Sequence, residues 1–191
     1  MRSNMLIWGG GVTLLLLIAG YLMPKWALFL CTMAMSHGLV SLGIVVLMRS
    51  GVVSFGQGFS FAIGGYCTAF MTNFFGVTDA FLLVMSSGAA SVLIALPFAP
   101  LLSRYRGIFF AMLTLAISMV LYGVLVKTTE LGGSDGFNVS RPTLFGMELD
   151  NENANMVLYQ LAAVIVGVAL TWSRIYTQST RGLVSLAVRE A

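Results

Sequence analysis

Six apolar stretches without a single Asp, Glu, Lys or Arg set the terms for this chain: Leu6–Met23, Trp26–Met48, Gly58–Phe75, Ala80–Leu102, Gly107–Val126 and Met156–Ser173. A helix needs about 20 apolar residues to cross a hydrocarbon core about 30 Å thick. Only 9% of the 191 residues are charged, whereas soluble domains run near 25%. The sequence therefore predicts an all-α fold, a polytopic transmembrane helix bundle of about six spanning helices, with residues 1–191 as a single membrane domain. The first run, behind Arg2, has the alternative reading of a signal peptide. Its apolar part is long and no clear small-x-small cleavage site follows, so it is taken as a span.

Charge placement orients the bundle. With the N-terminus in the cytoplasm, seven cations (Arg2, Arg49, Arg104, Arg106, Arg174, Arg181 and Arg189) fall inside and three (Lys25, Lys127 and Arg141) outside. This is the positive-inside bias, and the opposite orientation would invert it. The long connection 127–155 is then extracytoplasmic, and 174–191 is a cytoplasmic tail segment.

Between the second and third runs lies Arg49–Tyr66, which carries Gly51, Gly56, Gly58, Gly64 and Gly65 together with Ser54, Gln57 and Ser60. Glycine costs about 1 kcal/mol against alanine in a helix interior. Irregular backbone is tolerated at membrane depth only where protein or a water-filled cavity satisfies it. The stretch is read as a glycine-rich, partly re-entrant junction, with a short loop before a tightly packed helix as the alternative. Ser54 and Gln57 are its candidate polar groups toward a translocation pathway. Small residues recur at i, i+4, i+7 and i+11 as Gly58, Ala62, Gly65 and Ala69, and again as Gly107, Ala111, Thr114 and Ser118. Such stripes let membrane helices approach closely, and the first is read as a packing surface. Thr114 and Ser118 are also candidate pathway residues. Pro97 and Pro100 predict a kink or early stop in the fourth run. In the outer connection, Gly132, Gly133, Ser134, Asp135 and Gly136 have turn chemistry.

Much chemistry is excluded. No basic patch is interleaved with aromatics, so nucleic acid is not a partner. Charged groups inside the spans would mark ion coupling, and there are none. His37 is the one histidine and cannot make a metal site; Cys31 and Cys67 read as small hydrophobes in apolar runs. No phosphate-binding G-x-x-x-x-G-K-[ST] is present. The chain needs no cofactor of its own, carries no catalytic residues, and must draw any driving energy from another subunit.

Four segments resemble the permease subunits of branched-chain amino acid ABC importers, the M-type in particular. Ser54–Tyr66, S-F-G-Q-G-F-S-F-A-I-G-G-Y, is similar to L-S-L-G-H-x-A-F-F-G-I-G-A-Y, and Gly107–Ala116, G-I-F-F-A-M-L-T-L-A, to G-x-Y-F-A-x-x-T-L-A. Leu131–Gly136 resembles the family's L-T-G-G-S-D-G loop, and Ser179–Glu190 its S-x-x-G-R-A-x-x-A-I-R-E cytoplasmic segment, with Leu183 where that family has Arg. His37 and Ser41 also depart from a family segment reading A-L-G-L-N. The resemblance implies an importer with a second permease subunit, cytoplasmic ATP-binding subunits that bind the ATP, and an extracytoplasmic substrate-binding protein, in the bacterial inner membrane. Substrates would be branched-chain or other amino acids, amides or urea. It makes Ser179, Arg181, Arg189 and Glu190 the ATPase-coupling residues, and the end at Ala191 a sign of a truncated or split permease. The alternative function is a non-transporting membrane assembly or scaffold subunit, or a truncated inactive permease. A passive channel lacks rings of charge or filter-like repeats to support it.

Overall fold

Long apolar runs and the punctuation between them account for where the helices start and stop. The computed structural model describes residues 2–105, 107–128, 132–133, 135–136, 138–140, 142–143, 154–180, 182 and 184–185. Its elements are α1 (Arg2–Leu22), α2 (Lys25–Met48), α3 (Gln57–Phe75), α4 (Ala80–Ala95), a 3₁₀ turn (Leu96–Phe98), α5 (Ala99–Leu102), α6 (Ile108–Lys127) and α7 (Ala154–Gln178). No strand is present among the described residues; the nearest thing is an isolated parallel bridge between Asp79 and Thr143. The break expected near Pro97 is the 3₁₀ turn, because proline withholds an N–H from the α pattern.

Among the described residues, four helical stretches are long and apolar enough to cross a membrane: Lys25–Met48, Ala80–Leu102, Ile108–Lys127 and Ala154–Gln178. In α1 the described apolar part is Trp8–Leu22. Helix α3 has the length, at 19 residues, but glycines and polar residues such as Gln57, Ser60, Thr72 and Asn73 dilute its hydropathy. The chain is a multi-pass membrane protein.

Contacts divide the chain into two compact units, Met1–Gly51 with Asp150–Ala191, and Val52–Leu149. In the first, α7 packs against both α1 and α2. Its antiparallel seam with α1 is an interlock of small residues against larger ones. A Cβ on Gly9 would strike the Thr171 side chain, one on Gly167 the Thr13 side chain, and one on Gly20 would lie 2.5 Å from the Tyr159 ring. Tyr159 and Ala163 are buried, and the Tyr159 hydroxyl donates to the Leu16 carbonyl at 2.8 Å. The Arg174 guanidinium stacks over the Trp8 ring at 3.8 Å.

In the second unit α3 packs mainly on α4. The Ser91 hydroxyl crosses from α4 to donate to the Ser60 carbonyl at 2.9 Å, and one turn on, Gly64 brings the backbones together, its would-be Cβ lying 3.5 Å from Ser91 Oγ. Phe59 meets Phe98 edge-on at 5.5 Å. Helix α3 ends at Gly76, whose φ of 63° suits glycine, and Asp79 caps α4 by accepting from Phe81 N–H at 3.0 Å.

Candidate functional site: the cleft between α3 and α6

The site begins with a stretch of backbone that has no helix to satisfy it. Between α2 and α3 the chain turns at Arg49–Gly51 and continues through Val52–Gly56 without helical bonding. Thr114 and Ser118, one turn apart on α6, take up Phe55 from both sides. Phe55 N–H donates to Thr114 Oγ1 at 3.1 Å, and Ser118 Oγ donates to the Phe55 carbonyl at 3.3 Å. Gly56 N–H donates to Ser54 Oγ at 3.1 Å, and both Ser54 and Thr114 are buried. Thr114 and Ser118 sit six and ten residues beyond the first residue of α6, so α3 begins about 9–15 Å along its neighbour. The junction thus enters beside a spanning helix, and the two hydroxyl residues replace the partners that a bilayer cannot supply.

Beyond this clamp α3 and α6 line a cleft of about 720 Å³, within the 300–1,000 Å³ of small-molecule sites. One wall is Gly58, Phe59, Ala62 and Tyr66 of α3; the other runs from Ser118 to Val126 on α6 and includes Met119, Tyr122 and Leu125. Gly133, Asp135 and Gly136 close its far end, and Asp135 is the one charged residue among the described lining. A Cβ at Gly58 would meet no atom within 4 Å, so this glycine contributes open space to the cleft.

Backbone hydrogen bonds join the described residues of the loop at that end. Gly136 N–H and Asp135 N–H both donate to the Gly132 carbonyl, at 3.0 and 3.1 Å, and Gly133 N–H reaches back to Thr128 O at 3.2 Å. Gly132 has φ 85°, and a Cβ there would lie 2.7 Å from the Gly136 carbonyl carbon, so no other residue fits. Thr143 straps the loop to the α3–α4 connection: its N–H donates to Thr78 O at 2.7 Å and its carbonyl accepts from Ala80 N–H at 2.8 Å.

The sequence-selected residues are therefore distributed as follows. Ser54, Thr114 and Ser118 come together in the clamp, and Ser118 also lines the cleft. Gln57 is half-buried at the start of α3. Of the packing stripe, Ala69 is buried and Ala62 half-buried, while Gly58 and Gly65 are exposed and face no neighbouring atom within 4 Å. Gly64, next in sequence to Gly65, makes the helix–helix approach. Ser179 donates to Tyr176 O at 2.7 Å and accepts from Gly182 N–H at 3.3 Å. Gly182 is packed so closely on the end of α7 that a Cβ would come 2.9 Å from the Thr177 backbone. Ser134, Arg181, Arg189 and Glu190 lie outside the described residues. Sequence reasoning missed the seam of Gly9, Thr13 and Gly20 against Tyr159, Gly167 and Thr171, although its i, i+4 spacing was visible. No three His, Cys, Asp or Glu side chains gather into a metal-binding group among the described residues.

Comparison with known proteins matches residues 26–191 to the family described as the branched-chain amino acid transport system permease component. The chain is 32% identical over 134 residues to the high-affinity branched-chain amino acid transport system permease protein LivM of Salmonella typhimurium strain LT2, covering 67% of this chain and 31% of that protein. It is 30% identical over 134 residues to the LivM protein of Escherichia coli strain K12, with the same coverage. The chain thus spans 31% of the length of these curated relatives. No solved structure matches it.

Proposed function

Because this chain belongs to the family of branched-chain amino acid transport system permease components, we propose that it forms part of the membrane path of an ATP-driven importer for branched-chain or related amino acids. Membership of that family supports the reading of a transporter component. In our reading it works in the bacterial inner membrane with a second permease subunit, cytoplasmic ATP-binding subunits and an extracytoplasmic binding protein. The observation that carries the proposal is the cleft between α3 and α6, about 720 Å³ and mostly apolar, with Asp135 among its described lining residues. A site of this kind holds a small molecule with an aliphatic body and a polar head.

The clamp at Phe55 supplies the floor. ATP-driven closure of the cytoplasmic subunits would rock α3 against α6 between outward and inward openings, with Ser54 and Gln57 near the point where the backbone is broken. The segment after α7, including Ser179, Arg181, Arg189 and Glu190, would meet the ATPase, and the Gly132–Gly136 turn would face the binding protein or the outer gate. Cationic asymmetry supports a cytoplasmic N-terminus. Cysteines placed at Ser103 and Gln178 are expected to react from the cytoplasmic side alone, and one at Val139 from outside alone. Labelling of positions 139 and 178 from the same side would overturn this topology.

The decisive experiment is uptake of labelled leucine, isoleucine, valine and urea by the complete transporter in proteoliposomes. ATP-dependent accumulation of the amino acids is expected. Accumulation of none of them, with all subunits assembled, would overturn the proposal.

A further inference from the structure

A groove of about 700 Å³ lies between α2 and α7. Helix α7 is antiparallel to α1, as the Gly9–Thr171 and Gly20–Tyr159 approaches show. Helix α2 turns back from α1 after the break at Pro24 and also packs on α7, so the two walls of the groove run in the same direction. Leu39, Leu42 and Val46 recur on one face of α2, and Val164, Val168, Trp172 and Tyr176 stand one turn apart on α7. Val168 and Trp172 are 62% and 73% exposed, so the groove is open along its α7 wall. The Ser173 hydroxyl in that wall already donates to the Leu170 carbonyl at 3.1 Å, which leaves a surface made for hydrocarbon.

Length and charge identify the occupant. At a rise of about 1.5 Å per residue the groove runs about 10 Å along α2 and about 18 Å along α7. One leaflet of a hydrocarbon core about 30 Å thick has about half that depth. An acyl chain fits this length, whereas a spanning helix would need a groove about twice as long. Just past its end stands Arg49, three residues beyond Val46 and seven beyond Leu42, on the same face of α2. Among the described residues no hydrogen bond, ion pair or ring contact engages the Arg49 side chain. Trp172 and Tyr176 mark the same end on α7, and such rings favour the level of the lipid headgroups. We propose that the groove holds an anionic phospholipid from the leaflet on the Arg49 side, the cytoplasmic one in the topology above. One acyl chain lies between α2 and α7, and the phosphate faces the Arg49 guanidinium. A single cation at this level favours an anionic over a zwitterionic lipid with the same chains by about fivefold.

The test uses the complete transporter in phosphatidylcholine nanodiscs. A trace of phosphatidylglycerol or of phosphatidylcholine is added, each with the same photoactivatable group in its acyl chain, and labelled residues are mapped by mass spectrometry. Phosphatidylglycerol is expected to label the segment from Val164 to Trp172 about fivefold more than phosphatidylcholine does. Arg49→Gln should bring the two probes level, and Arg49→Lys should keep the difference. Val168→Trp, which fills the groove, should remove the label from that segment, with assembly of each variant checked by size-exclusion chromatography. Equal labelling by the two probes in the wild type, an unchanged difference in Arg49→Gln, or no label between Val164 and Trp172 would each overturn the proposal. So would a crosslink from Val168→Cys to another subunit, to a second copy or to a further helix of the same chain, since the occupant would then be protein. Failure of Arg49→Gln to assemble moves the test to the other two variants. Loss of the difference in Arg49→Lys, or persistent labelling of the segment in Val168→Trp, overturns it there. Labelling needs no transport, so the result is independent of whether leucine is taken up.

Discussion

The unit built on α7 and the unit built on α3 and α6 join their helices with different emphasis, although the first also has the Tyr159–Leu16 hydrogen bond and the second the close approach at Gly64. In the first, each glycine on the seam is opposed by a side chain that fills the space it leaves: Thr171 at Gly9, Thr13 at Gly167, Tyr159 at Gly20. In the second, the joints are hydroxyls placed on backbone groups, from Ser91 to Ser60 and from Thr114 and Ser118 to Phe55. Here Gly58 and Gly65 face no neighbouring atom. A filled glycine seam leaves no room for a solute between its two helices, whereas α3 and α6, joined at Phe55, leave a cleft that Ser118 also lines. The difference teaches that a small residue in a membrane helix has two opposite uses, close approach or open space, decided by what stands across from it.

Substitutions can break or sharpen that contrast. The largest effect is expected at Gly167→Leu, which drives a side chain into Thr13 and should cost about 3 kcal/mol or more. Gly65→Leu, by contrast, should change stability by about 0.5 kcal/mol or less. Unfolding of the chain in mixed micelles, followed by circular dichroism, compares the two; equal losses would erase the distinction between filled and open glycines. Next comes Thr114→Val, which leaves the Phe55 N–H without its acceptor and should cost about 1–3 kcal/mol. Hydrogen exchange at the Phe55 amide should quicken, and should not do so in Thr114→Ser. Smaller again is Tyr159→Phe, which keeps the ring against Gly20 but deletes the bond to Leu16, for a loss of about 1 kcal/mol. The smallest loss is expected for Ser91→Ala, about 0.6 kcal/mol, the average for a hydrogen bond between membrane helices. A loss at Ser91 exceeding that at Gly167 would reverse the ranking of the glycine seam above the hydroxyl joint.

Most of the fold was legible because it follows from where charge is absent. The six uncharged runs became α1, α2, α3, α4 with its Pro97 break, α6 and α7, with boundaries shifted by a few residues. The turn at Gly132–Gly136 was legible from glycine and Asp chemistry, and its three described glycines all have positive φ. Ser54, Thr114 and Ser118 could be picked out as polar groups in apolar surroundings. That they would converge on one residue, Phe55, was hidden, because the group they serve is backbone and leaves no mark in the sequence. The stripes were the least legible part. Gly58, Ala62, Gly65 and Ala69 share the i, i+4, i+7, i+11 spacing of Gly9, Thr13, Leu16 and Gly20. Only the residues opposite, far away in sequence, separate a seam from a cleft wall. The α1 side of that seam also precedes the family match, which begins at residue 26, so no motif drew attention to it.

The clamp on Phe55 has a consequence for how the protein is made. Helix α3 leaves the ribosome with a broken, unsatisfied segment at its head and is not apolar enough to be counted among the four clear spans. Thr114 and Ser118, which cover that segment, are synthesised 59 and 63 residues after Phe55. Until α6 emerges, the polar backbone of Val52–Gly56 has to remain in the insertion machinery or at the membrane surface, since hydrocarbon offers it nothing. Helices α3 to α6 are therefore expected to enter the bilayer together, with Thr114 and Ser118 arriving to cover the segment.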